Sequence, residues 1–178
     1  MTHLDVNRMK FVDESNAQIN MTRRYGWAPT HERVVDSVPD TYGDNLTTVA
    51  AIGVSGVLAP TIFEGAMDGA CFHAYVAQQL APALEPGDIV VMDNLSAHKV
   101  RGVVELIEAR GAQVVFLPPY SPDLNPIELC WSKVKTALRM AKARTVEALI
   151  AALADALRAV SVDDIMHWFA HCGYRFAT

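Results

Sequence analysis

Ile89-Val90-Val91-Met92-Asp93-Asn94 is an uncharged run that ends in a carboxylate, and it decides how this chain folds. Four apolar residues between Pro86-Gly87 and Asp93-Asn94 predict a buried strand, which has no polar face to alternate with. Just downstream, Val100 to Arg110 predicts an amphipathic helix closed by Gly111 as the C′ residue, and Val114 to Leu117 a second buried strand ended by Pro118-Pro119. Upstream, Lys10 to Asp13 predicts a short strand ending in acids. Leu46 to Val54 and Val57 to Phe63, joined at Ser55-Gly56, predict an antiparallel hairpin. Asp68 to Leu84 has helical periodicity, with Asp68 as N-cap and Pro86-Gly87 as the stop. Helices are predicted over Asn125 to Arg144, Thr145 to Val160 and Val162 to Phe169. Short strands alternating with helices make the fold α/β, a mixed sheet flanked by helices.

Length and composition set outer bounds. The 178 residues, 51% hydrophobic, suit one domain over 1–178 with a sizeable core. Cys71, Cys130 and Cys172 are too few and too scattered for a disulfide framework, which suits a reducing, cytoplasmic setting. The polar start has no signal-peptide stretch. The longest uncharged run, Leu46 to Phe63, is broken by Gly53, Ser55, Gly56 and Pro60, so it reads as two strands rather than a membrane helix. A net charge of −5 argues against a dedicated nucleic-acid-binding module, though not against a nuclease whose metal ions offset local acidity.

Three acids stand out. Asp13 closes Lys10-Phe11-Val12, Asp93 closes the buried run, and Glu128 follows Pro118-Pro119-Tyr120-Ser121-Pro122-Asp123-Leu124-Asn125-Pro126-Ile127. Each has a bland explanation. Asp13 and Asp93 suit turns at strand ends, and Asn125, Pro126 and Glu128 form a capping-box arrangement at a helix start. Together with their flanking words, and with 34 residues between Asp93 and Glu128, they point to chemistry instead. On the predicted helix, Ile127, Trp131, Val134, Leu138 and Ala141 share an apolar stripe, with Glu128 at its edge. Lys135, Arg139 and Lys142 follow on nearly the line of Glu128. That row suits either a DNA track or a solvated face whose cations the helix dipole favours.

These words resemble the catalytic domain of the mariner-type bacterial insertion-sequence transposases, members of the DDE superfamily. Phe11-Val12-Asp13-Glu14-Ser15 is similar to the first-acid strand, Glu14 being the non-ligand neighbour, and Met21 through Pro29 to the basic turn that follows. Val91 through Lys99 and Leu117 through Lys135 match the second- and third-acid blocks, and His171-Cys172-Gly173-Tyr174 is typical of the bacterial branch. The resemblance implies a ribonuclease-H-like fold, metal-dependent DNA cleavage and strand transfer at transposon ends, and a homodimer in the active complex. Asp13, Asp93 and Glu128 would then be catalytic and hold Mg²⁺ or Mn²⁺, two ions with Asp13 bridging both. Arg23, Arg24, Lys99, Lys135, Arg139 and Lys142 would touch DNA. Family members usually carry helix-turn-helix modules before the first acid, where this chain has twelve residues. It is therefore expected to be the catalytic part alone, binding DNA weakly and with little sequence preference. Two alternatives remain: another ribonuclease-H-like metal nuclease, or a non-catalytic DNA-binding remnant.

Lesser signals complete the picture. His98 lies near the cleft or touches a phosphate, unless it is simply a polar residue at a helix start. Trp131 and Trp168 read as core or interface aromatics. Tyr120 reads as part of a rigid Pro-rich loop, with base stacking the rival. His167, His171 and Cys172 lack a matching ligand pair for zinc.

Overall fold

The computed structural model describes residues 5–37 and 45–176, so the first residues of the polar start lie outside it. Five strands form one sheet in the order β3-β2-β1-β4-β5, with β1 Met9–Gln18, β2 Asn45–Gly53, β3 Gly56–Glu64, β4 Ile89–Met92 and β5 Gln113–Phe116. β1 pairs antiparallel with β2 and parallel with β4, and β4 pairs parallel with β5. The predicted mixed sheet is therefore present, with β1 at its centre.

The sheet is covered on both faces, and strand alternation sorts the residues between them. Met9, Phe11, Val91 and Ala50 face a core made with α4 (Ile127–Ala141), α5 (Val146–Arg158) and α6 (Val162–His171). Val12, Val90, Met92 and Val49 face a second core. This is closed by α1 (Gly69–Tyr75), by Val76 and Leu80 of the turn leading into α2 (Ala81–Ala83), and by α3 (Val103–Glu108). α1 runs through a π-helical turn, Val76–Leu80, into α2, whose first turn accommodates Pro82.

Several boundaries differ from expectation, each for a local reason. β1 was expected to end at Asp13. It continues to Gln18 because β2 pairs with it throughout, from Phe11↔Ile52 to Gln18↔Asn45. Only the parallel partner stops early: β4 ends at Met92, opposite Val12. Asp13 is thus mid-strand, at the point where the sheet loses a neighbour. The helix expected from Val100 starts at Val103, after Gly102 at φ 95°. The Asn125–Arg144 helix is shorter at both ends. Its last turn closes at Lys142, which takes a left-handed φ of 50° and donates its N–H to Leu138 O. On its buried stripe Cys130 replaces the expected Ala141, which is exposed. Thr145 and Ser161 cap α5 and α6 with their side-chain oxygens, and Asp68 caps α1 as expected. Among the described residues no helix is long and apolar enough to cross a membrane.

Candidate active site

Alternation along β1 sends Asp13 to the α4 face and Glu14 to the opposite one. Asp13 is 7% exposed, and its Oδ2 accepts a 3.2 Å hydrogen bond from Trp131 Nε1. Burial is the main reason its carboxyl is pushed up to about 7. The charges of Glu128, Glu14 and Asp93 add to the shift, against a backbone hydrogen bond from Glu14. A buried acid facing three other acids is under electrostatic strain that a cation would relieve.

Asp93 follows β4 directly. Its Oδ1 accepts the Leu95 N–H at 2.9 Å, an Asx turn that ends the strand. His98 Nδ1 is 2.7 Å from the same oxygen, an ion-pair contact outside hydrogen-bond alignment. Asn94 Nδ2 donates to Leu117 O, tying the exit of β4 to that of β5. The last parallel pair, Val12↔Met92, thus sets Asp13, within β1, beside Asp93, just past the end of β4.

Glu128 is exposed in the first turn of α4, where the helix dipole favours a carboxylate. The expected capping box is absent. Pro126 occupies the N-cap, no side chain caps the helix, and the Asn125 Oδ1 is buried without a partner. Glu128 is therefore unclaimed by the local structure. With Asp93, Lys99 and the Pro118–Pro122 loop it lines a cleft of about 490 Å³. Tyr120 stands on the rim, fully exposed and at a left-handed φ of 56°.

Do these groups suit a divalent cation? The donors are all carboxylate oxygens, the ligand type hard cations take. Among the described residues no group of three His, Cys, Asp or Glu side chains is arranged to hold one ion. Mg²⁺ needs only one or two carboxylates beside water and phosphate oxygens, so acids divided between two ions fit that chemistry and a three-acid cage does not.

Lys135 and Arg139 lie one turn apart on α4, and Lys142 is its C-cap, while Lys99 stands elsewhere. Lys99 lies in the acid cleft, its Nζ 5.6 Å from the centre of the Phe116 ring. Lys135 lies beside Ser15, Asn16 and Thr48. Burial and the Arg24 charge hold the Arg139 guanidinium below its ordinary range. Lys142 is ion-paired with Asp36, whose carboxyl also feels Arg23. The far end of α4 is therefore a second basic cluster, partly neutralised by Asp36.

His98 is not on the surface. It is fully buried, its ring centre 4.4 Å from that of Phe72 at a tilt of 38°, and its Nε2 is 3.0 Å from Glu14 Oε2. That burial excludes the phosphate contact considered from sequence. Burial opposes its charged form, but the Glu14 hydrogen bond and the charges of Glu14, Asp93 and Asp13 outweigh it and raise its pKa. The roles of Trp131, Glu14 and His98 at the acids escaped the sequence reading. The one available signal was alternation along β1, which puts Asp13 and Glu14 on opposite faces.

A profile of the DDE superfamily endonuclease family matches residues 8–150. Among solved structures, the chain is similar to the Mos1 transposase paired-end complex with left transposon end, at 20% identity and a TM-score of 0.76. That match covers 94% of this chain and 52% of the other, so the chain spans about half its length. The pre-cleavage Mos1 transpososome matches at 18% identity and a TM-score of 0.68, over 97% and 58% of the two chains. The catalytic domain of Mos1 mariner transposase matches at 16% and 0.66, over 94% and 78%. The sheet and its helices are those of that ribonuclease-H-like fold. No curated protein sequence matches the chain.

Proposed function

Because the chain belongs to the DDE superfamily endonucleases, we propose that it is a transposase catalytic domain that cuts and joins DNA strands at transposon ends. One observation carries this. Asp13, within β1, lies next to Asp93, just past the end of the parallel strand β4, and Glu128 reaches over from α4 closely enough to raise the Asp13 pKa. Mos1 structures with Mn and with Mg support the same cations here; Asp13, Asp93 and Glu128 would hold them, as two ions. When bound, such ions activate the attacking oxygen and stabilise the leaving one at phosphorus.

The chain's own groups supply the rest. Trp131 holds Oδ2 of Asp13 in place. Lys99 offers charge to a phosphate entering the cleft. The Mos1 complex with a transposon end supports DNA ends as the substrate, and a homodimer is proposed as the active assembly. The His171-Cys172-Gly173-Tyr174 ending favours the bacterial insertion-sequence branch, and with it a cytoplasmic protein. Plasmid nicking with Mg²⁺ or Mn²⁺ tests the proposal. The parent chain should nick, and Asp13→Asn, Asp93→Asn and Glu128→Gln should each lose the activity. Nicking at the parent rate by any of the three removes that acid from the site, and a parent inert with both cations overturns the enzyme assignment.

A further inference from the structure

We propose that His98 is a positioning residue for the metal site: braced by Glu14, it holds Oδ1 of Asp93 and leaves Oδ2 as the oxygen free for a divalent cation. The proposal rests on Asp93 being a metal ligand, as proposed above.

Three observations carry it. First, the Asp93 Oδ1 accepts the Leu95 N–H at 2.9 Å and has His98 Nδ1 pressed against it at 2.7 Å, an electrostatic contact rather than an aligned hydrogen bond. An oxygen so engaged is a poor metal donor, so the carboxylate is set to bind through the other. Second, both ring nitrogens of His98 meet carboxylates. Nε2 lies 3.0 Å from Glu14 Oε2, and the ring therefore cannot swing away from Asp93 without giving up Glu14 as well. Third, the ring is fully buried and packed against Phe72, the ring centres 4.4 Å apart and the planes tilted by 38°, so its place is fixed by packing before any cation arrives.

The arrangement explains why a second acid follows the first on β1. Glu14 points away from the α4 face because side chains alternate on a strand. It reaches Asp93 only through His98, linking neighbouring parallel strands on the far face of the sheet. A ligating carboxylate held by such an outer partner is prepositioned, and loss of outer partners typically costs about 10–100-fold in metal affinity or activity.

Asn and Gln at position 98 separate positioning from packing. The Asn amide nitrogen falls near the place of Nδ1 and keeps a donor for Asp93. The Gln amide nitrogen falls near the place of Nε2 and keeps only Glu14. The full chain, stripped of metal, is titrated with Mn²⁺ while electron paramagnetic resonance reads the free ion, and melting is followed in EDTA. His98→Gln should weaken Mn²⁺ binding by about tenfold or more, while His98→Asn stays within about threefold of the parent and the two melt together. Equal binding by the two variants overturns the proposal and leaves His98 as a packing residue. Asp93→Asn is the control for the underlying assignment. If it binds Mn²⁺ like the parent, Asp93 is no ligand and both conclusions fall; if it loses binding while His98→Gln does not, only the His98 role falls. Should the His98 variants not fold, Glu14→Gln, a near-isosteric change at a side chain 21% exposed, takes their place. It should weaken Mn²⁺ binding about threefold or more at unchanged melting temperature, and unchanged binding overturns the proposal.

Discussion

Trp131 Nε1 donates a 3.2 Å hydrogen bond to Asp13 Oδ2, so the first acid of the site is held by the same helix that carries the third. Glu128 and Trp131 are three residues apart and share a side of α4. One helix therefore both presents an acid and fixes the oxygen of another. Replacing Trp131 by Phe keeps most of the packing and removes that donor. It should destabilise the protein by about 1–3 kcal/mol, since a buried carboxylate oxygen loses its partner. Metal-dependent nicking should fall as well. Denaturant melts and nicking rates check this; parental values in both would mean the contact is incidental.

Asp13 makes the metal-free protein sensitive to pH. Its carboxyl is pushed up to about 7 from an ordinary value of 3.8. A raised folded-state pKa contributes stability that is full below about pH 4 and is lost as pH rises through about 7, because the unfolded chain ionises more readily. The loss from this group is on the order of 4 kcal/mol. Melting in EDTA should weaken over that window, Asp13→Asn should flatten the curve, and Mg²⁺ should stabilise the parent most near neutral pH. A parent curve that is flat or rises between pH 4 and 7 in EDTA would refute it.

Relief of like-charge repulsion belongs to Glu128 rather than to Asp93. Glu128 is exposed and pushes the Asp13 pKa upward without a compensating partner in its own turn, whereas Asp93 is paired with His98. Glu128→Gln should thus leave metal-free stability equal or slightly higher, and Asp93→Asn should lower it by about 1 kcal/mol or more. Calorimetry on the two variants in EDTA gives the order directly; the opposite order would mean that repulsion at Asp93 exceeds its ion pairing.

DNA contacts should divide between the two basic regions. Lys99 stands in the acid cleft, while Lys142 is already paired with Asp36. Lys99→Gln should reduce the log–log salt slope of duplex binding by about 0.9, and Lys142→Gln should barely change it. Fluorescence anisotropy over a range of salt reads both, and a larger effect at Lys142 would place the DNA at the far end of α4.

What was legible in the sequence was local. Ile89–Met92 reads as a strand because four apolar residues between turn signals have no other use. α4 shows itself by its apolar stripe, and the acids by the words around them. What misled was local as well. Asn125-Pro126-Ile127-Glu128 has the spacing of a capping box, but the Asn125 side chain is buried and caps nothing. Lys135 and Arg139 do lie one turn apart on α4, and the helix closes at Lys142, in a left-handed conformation beside Asp36.

The sequence by itself determined the element types, the presence of three acids at chain positions that a sheet can gather, and the alternation that separates Asp13 from Glu14. These follow from periodicity and turn chemistry, which act over a few residues. Only the tertiary structure decided that β1 runs past Asp13, that Trp131 claims one of its oxygens, and that His98 joins Glu14 to Asp93 from inside the core. Those depend on which strand ends beside which, and on side chains 84 to 118 residues apart in the chain meeting across the sheet. No local pattern encodes such a meeting.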